Sequence, residues 1–373
     1  MRVLFYINSL ATGGAERTLV KLANTLATAS DEVTVATQLD AAHDRFTLAA
    51  NITRLCTDTG QTSTSLFSAL GNNVRRITRL RQLIKQQQPD VVVAFMATAN
   101  TVATFATLGL NVPVVVSERN YPPALPLSPM HKVAQRLANR WADHMVVLTH
   151  QTKQWYQRER GLRALTVIPN GVTYPVAATD TNAVPPDQLL EANKPLVLCV
   201  GRINQQKQPK LALKAFADAS HNNTDWQMAW LGRGNTDHLL AQATQLGIGD
   251  RFIAPGAVSN VQDWYERADI YLMTSAYEGF PNSLLEAMAC GCACIALDCP
   301  TGPADIIRHE DNGLLLPLGQ PAVLAANINN LMQDPQQRQA LGQAATLIRD
   351  QFSDAAAHTA WRKLLQTLVK DAG

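Results

Sequence analysis

Nearly from end to end, short apolar runs alternate with stretches in which apolar residues return every three or four positions. Residues 2–7 carry Val3, Leu4, Phe5, Tyr6 and Ile7 in a row, which leaves no polar face for water and predicts a strand covered on both sides. Leu19, Leu22, Ala23 and Leu26 then follow at helical spacing. Further strands are expected at 33–37, 91–95, 112–117, 144–148 and 165–168, with helical stretches between most of them. The pattern breaks over 174–194, where Tyr174-Pro175, Asp180-Thr181-Asn182 and Pro185-Pro186 make a polar, proline-containing linker. It restarts with strands at 196–200, 226–231, 251–253, 270–273, 293–297 and 313–316. The tail from 352 to 369 reads as a long helix carrying Trp361, Leu364, Leu365 and Leu368.

Strand–helix alternation predicts an α/β fold with parallel sheets covered on both faces, and such sheets bind ligands at the carboxyl ends of their strands. The expectation is two doubly wound, Rossmann-like domains facing across a cleft. Residues 1–175 form the first, residues 190–352 the second, and 353–373 a C-terminal helix packing back on the first. The length of 373 residues and an apolar content of 46% suit two soluble domains. The opening apolar run is too short for a signal-peptide core, and no run approaches the ~18 residues of a membrane helix, so a cytoplasmic location is expected. Cys290, Cys292, Cys294 and Cys299 lack the paired spacing of zinc ligands and read as small apolar residues at a helix end and in a buried strand. Charge is uneven. Residues 1–180 hold 18 Lys and Arg against 11 Asp and Glu, whereas the remainder holds 14 against 19. A basic first half suggests an anionic partner.

Two segments of the second half carry candidate chemistry. After the strand at 270–273, Glu278 and Glu286 stand seven residues apart. Glu278 falls on the strand-to-helix loop. Asn282 suits an N-cap, so the N–H groups of Ser283 and Leu284 would be open to a phosphate, with Glu286 one turn further in and able to accept from hydroxyls. The competing reading is a cap with a capping-box glutamate. Upstream, Arg202 and Lys207 follow the strand at 196–200; one planar fork and one point charge suit a diphosphate, the alternative being two surface cations. In the first half, Arg75, Arg79, Gln82 and Gln86 share one face of a helix over 73–87, flanked by Arg76 and Lys85, with Ile77, Leu80 and Ile84 opposite. That face is either solvated or a track for phosphates and an anionic membrane surface. No aromatics are interleaved with its cations, so nucleic acid is not indicated.

With Gly13-Gly14, the run 169–172 (Pro-Asn-Gly-Val), the run 302–307 and the run 312–315, these segments resemble the retaining glycosyltransferases of family 4, which have the GT-B fold. The N-terminal loop and Ser117-Glu118-Arg119 look most like N-acetylgalactosamine transferases that extend lipid-linked oligosaccharides and surface polysaccharides. The resemblance implies a hexosyltransferase that uses a nucleotide sugar, UDP-linked rather than GDP-linked, as substrate and needs no cofactor. Arg202 and Lys207 would hold the donor diphosphate, Glu286 the ribose, and Glu278 the transferred sugar. Gly13 and Gly14 would let backbone approach diphosphate and sugar. The base would lie against backbone over 255–258, up to Val258, and Phe280 would help shape the sugar pocket. The acceptor would be a polyprenyl-diphosphate-linked or soluble glycan, reached peripherally at the inner face of the cytoplasmic membrane, with Arg75, Arg79 and Lys85 on its side. Where many family members have a His after the fourth N-terminal strand, this chain has Arg119, which cannot act as a neutral base and is assigned to an acceptor phosphate or hydroxyl. No Asp-x-Asp occurs, so metal independence is expected.

Three rivals remain at this point. A dinucleotide oxidoreductase needs G-x-G-x-x-G, and Gly232-Arg233-Gly234 lacks the third glycine. A nucleotide-sugar epimerase of the same fold typically lacks the Glu278/Glu286 arrangement. A non-catalytic sugar-nucleotide-binding protein would be separated from a transferase by donor turnover.

Overall fold

The computed structural model describes all residues except 12, 62–65, 126, 159–161, 163, 177–181 and 373. Asp180 and Thr181 of the expected linker lie outside the described residues. The chain divides into two compact units, one of residues 1–170 with 355–373 and the other of 171–354.

In the first unit seven parallel strands run β1 (Arg2–Ile7), β2 (Glu32–Thr37), β3 (Thr53–Cys56), β4 (Val91–Phe95), β5 (Val114–Ser117), β6 (His144–Val147) and β7 (Leu165–Val167), in the order β3-β2-β1-β4-β5-β6-β7. Side chains alternate across a strand, so β1 feeds two cores. Val3, Phe5 and Ile7 pack with Leu19, Leu22 and Leu26 of the helix Gly14–Thr28 and with Trp361 and Leu365 of the helix Asp354–Ala372. Leu4 and Tyr6 pack on the other face with Leu80, Ile84 and Val102. The Trp361 ring stacks on Phe95 at 5.7 Å, which fixes the C-terminal helix to this sheet. β3 was not expected: Thr53-Arg54-Leu55-Cys56 has no apolar run, because an edge strand needs none.

The second unit repeats the plan with β8 (Leu196–Val200), β9 (Gln227–Leu231), β10 (Phe252–Gly256), β11 (Ile270–Met273), β12 (Ala293–Leu297) and β13 (Leu314–Leu316), ordered β10-β9-β8-β11-β12-β13. Part of the expected linker is not free chain: the Val184 N–H donates to Asn260 Oδ1 at 2.9 Å, and Trp264 Nε1 donates to the Val184 carbonyl at 2.8 Å. In each sheet the strand order reverses once, between β1 and β4 and between β8 and β11. The loops that leave strands on either side of such a reversal diverge to opposite faces and open a crevice. No helix of the described residues is long and apolar enough to cross a membrane.

Candidate functional site

The reversal in the second sheet sets the loop after β8 beside the loop after β11. The strands pair through Val197 with Ile270 and Leu198 with Tyr271. Their loops continue the contact: the Ala276 N–H donates to the Gln206 carbonyl at 2.7 Å, and Gln206 Nε2 donates to the Tyr277 carbonyl at 3.0 Å. Gln208 has a left-handed φ of 49°, and the Thr274 hydroxyl donates to the carbonyl of Lys207 before it at 2.9 Å, pinning the turn. Gly232 (φ +146°) passes so close to the Gly201 carbonyl that no Cβ fits there.

These bonds deliver Lys207 to Glu278. Lys207 Nζ donates to Glu278 Oε1 at 2.6 Å, with the side chains 15% and 7% exposed. The Glu278 N–H donates to the Pro300 carbonyl at 3.0 Å, and its carbonyl accepts from the Thr301 hydroxyl. Lys207 is therefore not one of two free surface cations: its counter-charge lies within the chain. A carboxylate this buried needs a partner within the chain. Arg202, at the same strand end, is exposed and makes no hydrogen bond or ion pair with the described residues.

Asn282 is not the cap of its helix. The helix Asn282–Ala289 is preceded by Pro281, without a side-chain cap. The Asn282 N–H donates to the Phe280 carbonyl at 3.0 Å, and the Leu284 N–H to the Pro281 carbonyl at 3.1 Å. The tight Phe280-Pro281 turn thus engages the Leu284 amide, one of the two expected to be open, and leaves Ser283's outside this set. The capping-box alternative falls as well, since proline at the cap has no N–H for Glu286 to receive. Glu286 is buried and accepts from the Tyr265 hydroxyl at 3.2 Å. The Tyr265 ring stands edge-on to Tyr271, whose hydroxyl donates to Ser283 Oγ at 2.8 Å. Tyr265 and Gln206 were missed in the sequence, where no spacing marks them.

The Phe280 ring is buried, its centroid 5.9 Å from that of Phe352. Val258 is half-buried on the segment after β10, held where the Ser259 N–H donates to the Asn182 carbonyl at 2.9 Å. Cys292, Cys294 and Cys299 are buried free thiols. Burial raises Cys292 and Cys294 well above the ordinary thiol value and holds Cys290 and Cys299 at about 12. Among the described residues no group of three or more His, Cys, Asp or Glu could hold a metal.

The remaining candidates belong to the first unit. Gly13 precedes the helix Gly14–Thr28 with φ −177°, extended backbone that any residue adopts; a Cβ there would meet only the flexible end of Glu16. Arg119 is not open to an acceptor. It is 7% exposed, its guanidinium 5.0 Å from the centre of the Phe95 ring, and it donates to Asn170 Oδ1. Burial lowers its pKa to about 9, which leaves a cation at neutral pH. Beside it Glu118 accepts from the N–H groups of Arg119 at 2.9 Å and Asn120 at 3.1 Å, and from the Tyr156 hydroxyl at 3.2 Å. Burial raises its carboxyl pKa. Arg75, Arg79 and Lys85 are exposed on the helix Leu66–Gln87, but Arg76 folds away to the carbonyls of Thr59 and Gln61, both at 3.1 Å.

Residues 180–347 match the family described as glycosyl transferases group 1, and residues 12–174 match glycosyltransferase family 4. A Campylobacter jejuni protein named as an α-1,4-N-acetyl-D-galactosaminyltransferase acting on a GalNAc-containing diNAcBac-PP-undecaprenol is 26% identical over the full length of both chains. The lipopolysaccharide 1,6-galactosyltransferase of Escherichia coli is 30% identical over 68% of this chain and 69% of its own. The solved structure of Anabaena Alr3699/HepE in complex with UDP and glucose superimposes with a TM-score of 0.79 at 20% identity, covering 98% of this chain and all of the other. The two nucleotide-binding-type sheets, the family matches and these relatives agree: the chain belongs to the family 4 glycosyltransferases, built on the GT-B fold.

Proposed function

We propose that this glycosyltransferase moves a hexose or N-acetylhexosamine from a UDP-sugar to a polyprenyl-diphosphate-linked glycan, with retention of anomeric configuration and without a metal. The observation that carries the reading is the Lys207–Glu278 pair at the reversal of the second sheet, with Arg202 exposed at the same strand end. The named substrates of the Campylobacter relative support a lipid-linked acceptor, and the UDP complex of the Anabaena protein supports the base.

Negative charge builds on the departing nucleoside diphosphate as the glycosidic bond breaks. Arg202 and Lys207 meet that charge, the guanidinium as a fork and the ammonium as a point. A diphosphate that draws Lys207 toward itself loosens the ammonium's hold on Glu278, and the freed carboxylate accepts from hydroxyls of the sugar being moved. Glu286, steadied by Tyr265, accepts from the ribose. The acceptor attacks the face the nucleotide leaves, and a donor phosphate oxygen takes its proton.

The test is a panel of nucleotide sugars with a polyprenyl-diphosphate-linked acceptor in the presence of EDTA, with product configuration read by NMR. A retained α-linkage formed from a UDP-sugar under chelation is expected. Turnover that needs added magnesium or manganese, or an inverted product, overturns the corresponding part of the reading.

A further inference from the structure

In the second sheet β11 lies between β8 and β12, so the loop that carries Glu278 has a neighbouring loop on each flank. The loop after β8 supplies Lys207 and holds the carboxylate. The loop after β12 holds the backbone. The Glu278 N–H donates to the Pro300 carbonyl at 3.0 Å, and the Glu278 carbonyl accepts from the Thr301 hydroxyl. Two consecutive residues of one loop thus engage both main-chain polar groups of a single residue of the other. The bracing loop is itself fixed at its root, where the Asp298 N–H donates to the Leu316 carbonyl at 2.7 Å.

Thr301 is held in an unfavourable backbone conformation. Its φ is +64°, the left-handed region, where a β-branched residue is an outlier. It is 1% exposed, so its hydroxyl depends on partners within the chain. Glycine would relieve the strain, and the chain places glycine at the next position. At Gly302, with φ +103°, an added Cβ would run into Pro281, so space decides the residue there. At 301 a glycine would fit the backbone but would lack the hydroxyl. What the strained threonine supplies is the donor to Glu278. Strain of this kind persists where the surrounding structure over-determines it, and it gathers at sites that depend on fixed geometry.

We propose that Thr301 is a positioning residue for the transfer step. Its hydroxyl fixes the peptide at Glu278. When a diphosphate draws Lys207 away, the freed carboxylate then stays where the hydroxyls of the sugar meet it, rather than moving with its loop. The inference rests on the reading of Glu278 as the group that contacts the transferred sugar. The ribose side has its own support, because Glu286 accepts from the Tyr265 hydroxyl at 3.2 Å. Loss of the Thr301 hydroxyl should therefore be felt in turnover and not in nucleotide binding.

Three variants of the full chain separate hydroxyl from strain. Thr301→Val keeps the β-branch and removes the hydroxyl, Thr301→Gly removes both, and Thr301→Ser keeps the hydroxyl. Initial rates are taken with the donor that turns over in the nucleotide-sugar panel and are corrected for the folded fraction. UDP affinity is read by calorimetry, and amide exchange over 276–280 is followed without substrate. Thr301→Val and Thr301→Gly should each lower kcat roughly thirtyfold, inside the hundredfold that a small misplacement can cost, with the UDP dissociation constant within about twofold of wild type. Exchange of the Glu278 amide should quicken about tenfold in both, as the loop opens locally. Thr301→Ser should restore kcat to within about threefold. If the valine variant does not fold, the glycine and serine variants carry the comparison. The inference is overturned if the variants without the hydroxyl turn over as wild type does, if serine does not restore the rate, if UDP affinity falls in step with kcat, or if the Glu278 amide exchanges as before. Wild-type turnover with an unaffected Thr301→Gly sinks this inference and leaves the proposed reaction standing. No wild-type turnover with any UDP-sugar sinks the proposed reaction, and exchange then still decides whether Thr301 holds Glu278.

Discussion

Lys207 with Glu278 in the second unit and Arg119 with Glu118 in the first are both acid–base neighbours at the carboxyl ends of parallel strands, yet they are built differently. Glu118 has its oxygens engaged by two backbone amides and a tyrosine hydroxyl, and Arg119 is sandwiched between Phe95 and Asn170. Each is over-determined by neighbours that do not depend on the other. Glu278 and Lys207 instead hold each other, from two loops that meet only at a sheet reversal, and Arg202 at the same strand end has no ion pair among the described residues. A group whose partner can be exchanged for a ligand is suited to chemistry. A group held from several sides is suited to fixing a loop.

The largest effect that would sharpen this contrast is on Lys207. Lys207→Ala should lower kcat/KM by about a thousandfold, the scale of losing a fixed charge at a developing anion. It should also destabilise the fold by about 2–3 kcal/mol, because Glu278 is left buried without its partner. The double variant Lys207→Ala/Glu278→Gln should recover most of that stability and none of the turnover. Urea denaturation and initial rates on the three proteins give the cycle. If the single variant is as stable as wild type, or the double variant regains activity, the pair is not what holds these loops and the contrast collapses.

The types and spacings at this site were legible, but the pairing was not. Gly201-Arg202 and Glu278–Glu286 could be picked out because they follow apolar runs and precede helical ones, so the strand ends could be located. That Lys207 touches a residue 71 positions away follows only from β8 lying beside β11, and strand order is a tertiary fact. Arg119 was placed on the correct loop. Its burial depends on Phe95 and Asn170, each distant in sequence. The Pro129–Trp141 helix shows the converse limit. Met130, Val133, Leu137 and Trp141, all exposed, have the periodicity of a core face, and periodicity cannot say whether anything lies on top. Asn282 lost the cap to Pro281 because the residue before it closes a tight turn, a local choice that residue preference alone does not decide.

A middle-sized effect separates the pairs from the other side. Arg119→Met should cost about 1–3 kcal/mol of stability by removing the guanidinium's hydrogen bond to Asn170 and its contact with the Phe95 ring. Turnover of the folded protein should stay within about threefold. Thermal melts and rates corrected for the folded fraction measure both. An Arg119→Met protein that melts as wild type but no longer turns over would make Arg119 a working group and erase the distinction drawn here.

The smallest expected effect is a pH slope. Glu118's carboxyl pKa is raised by burial above its ordinary 4.5, so in a window above that value the folded chain retains a proton that the unfolded chain has lost. Stability then falls as pH rises, because the unfolded state binds fewer protons than the native one. The contribution is whole below the unfolded value and is lost as pH climbs through the folded one. Glu118→Gln keeps the shape and the acceptor oxygen but cannot titrate. The difference in unfolding free energy, wild type minus Glu118→Gln, should decline from about pH 4.5 upward and then level off, since every other titrating group appears in both proteins and cancels. A difference that grows with pH would mean that the two amides and Tyr156 stabilise the carboxylate more than burial penalises it. Glu118 would then be a committed anion, and the first unit's pair would resemble the second's more closely than its hydrogen bonds suggest.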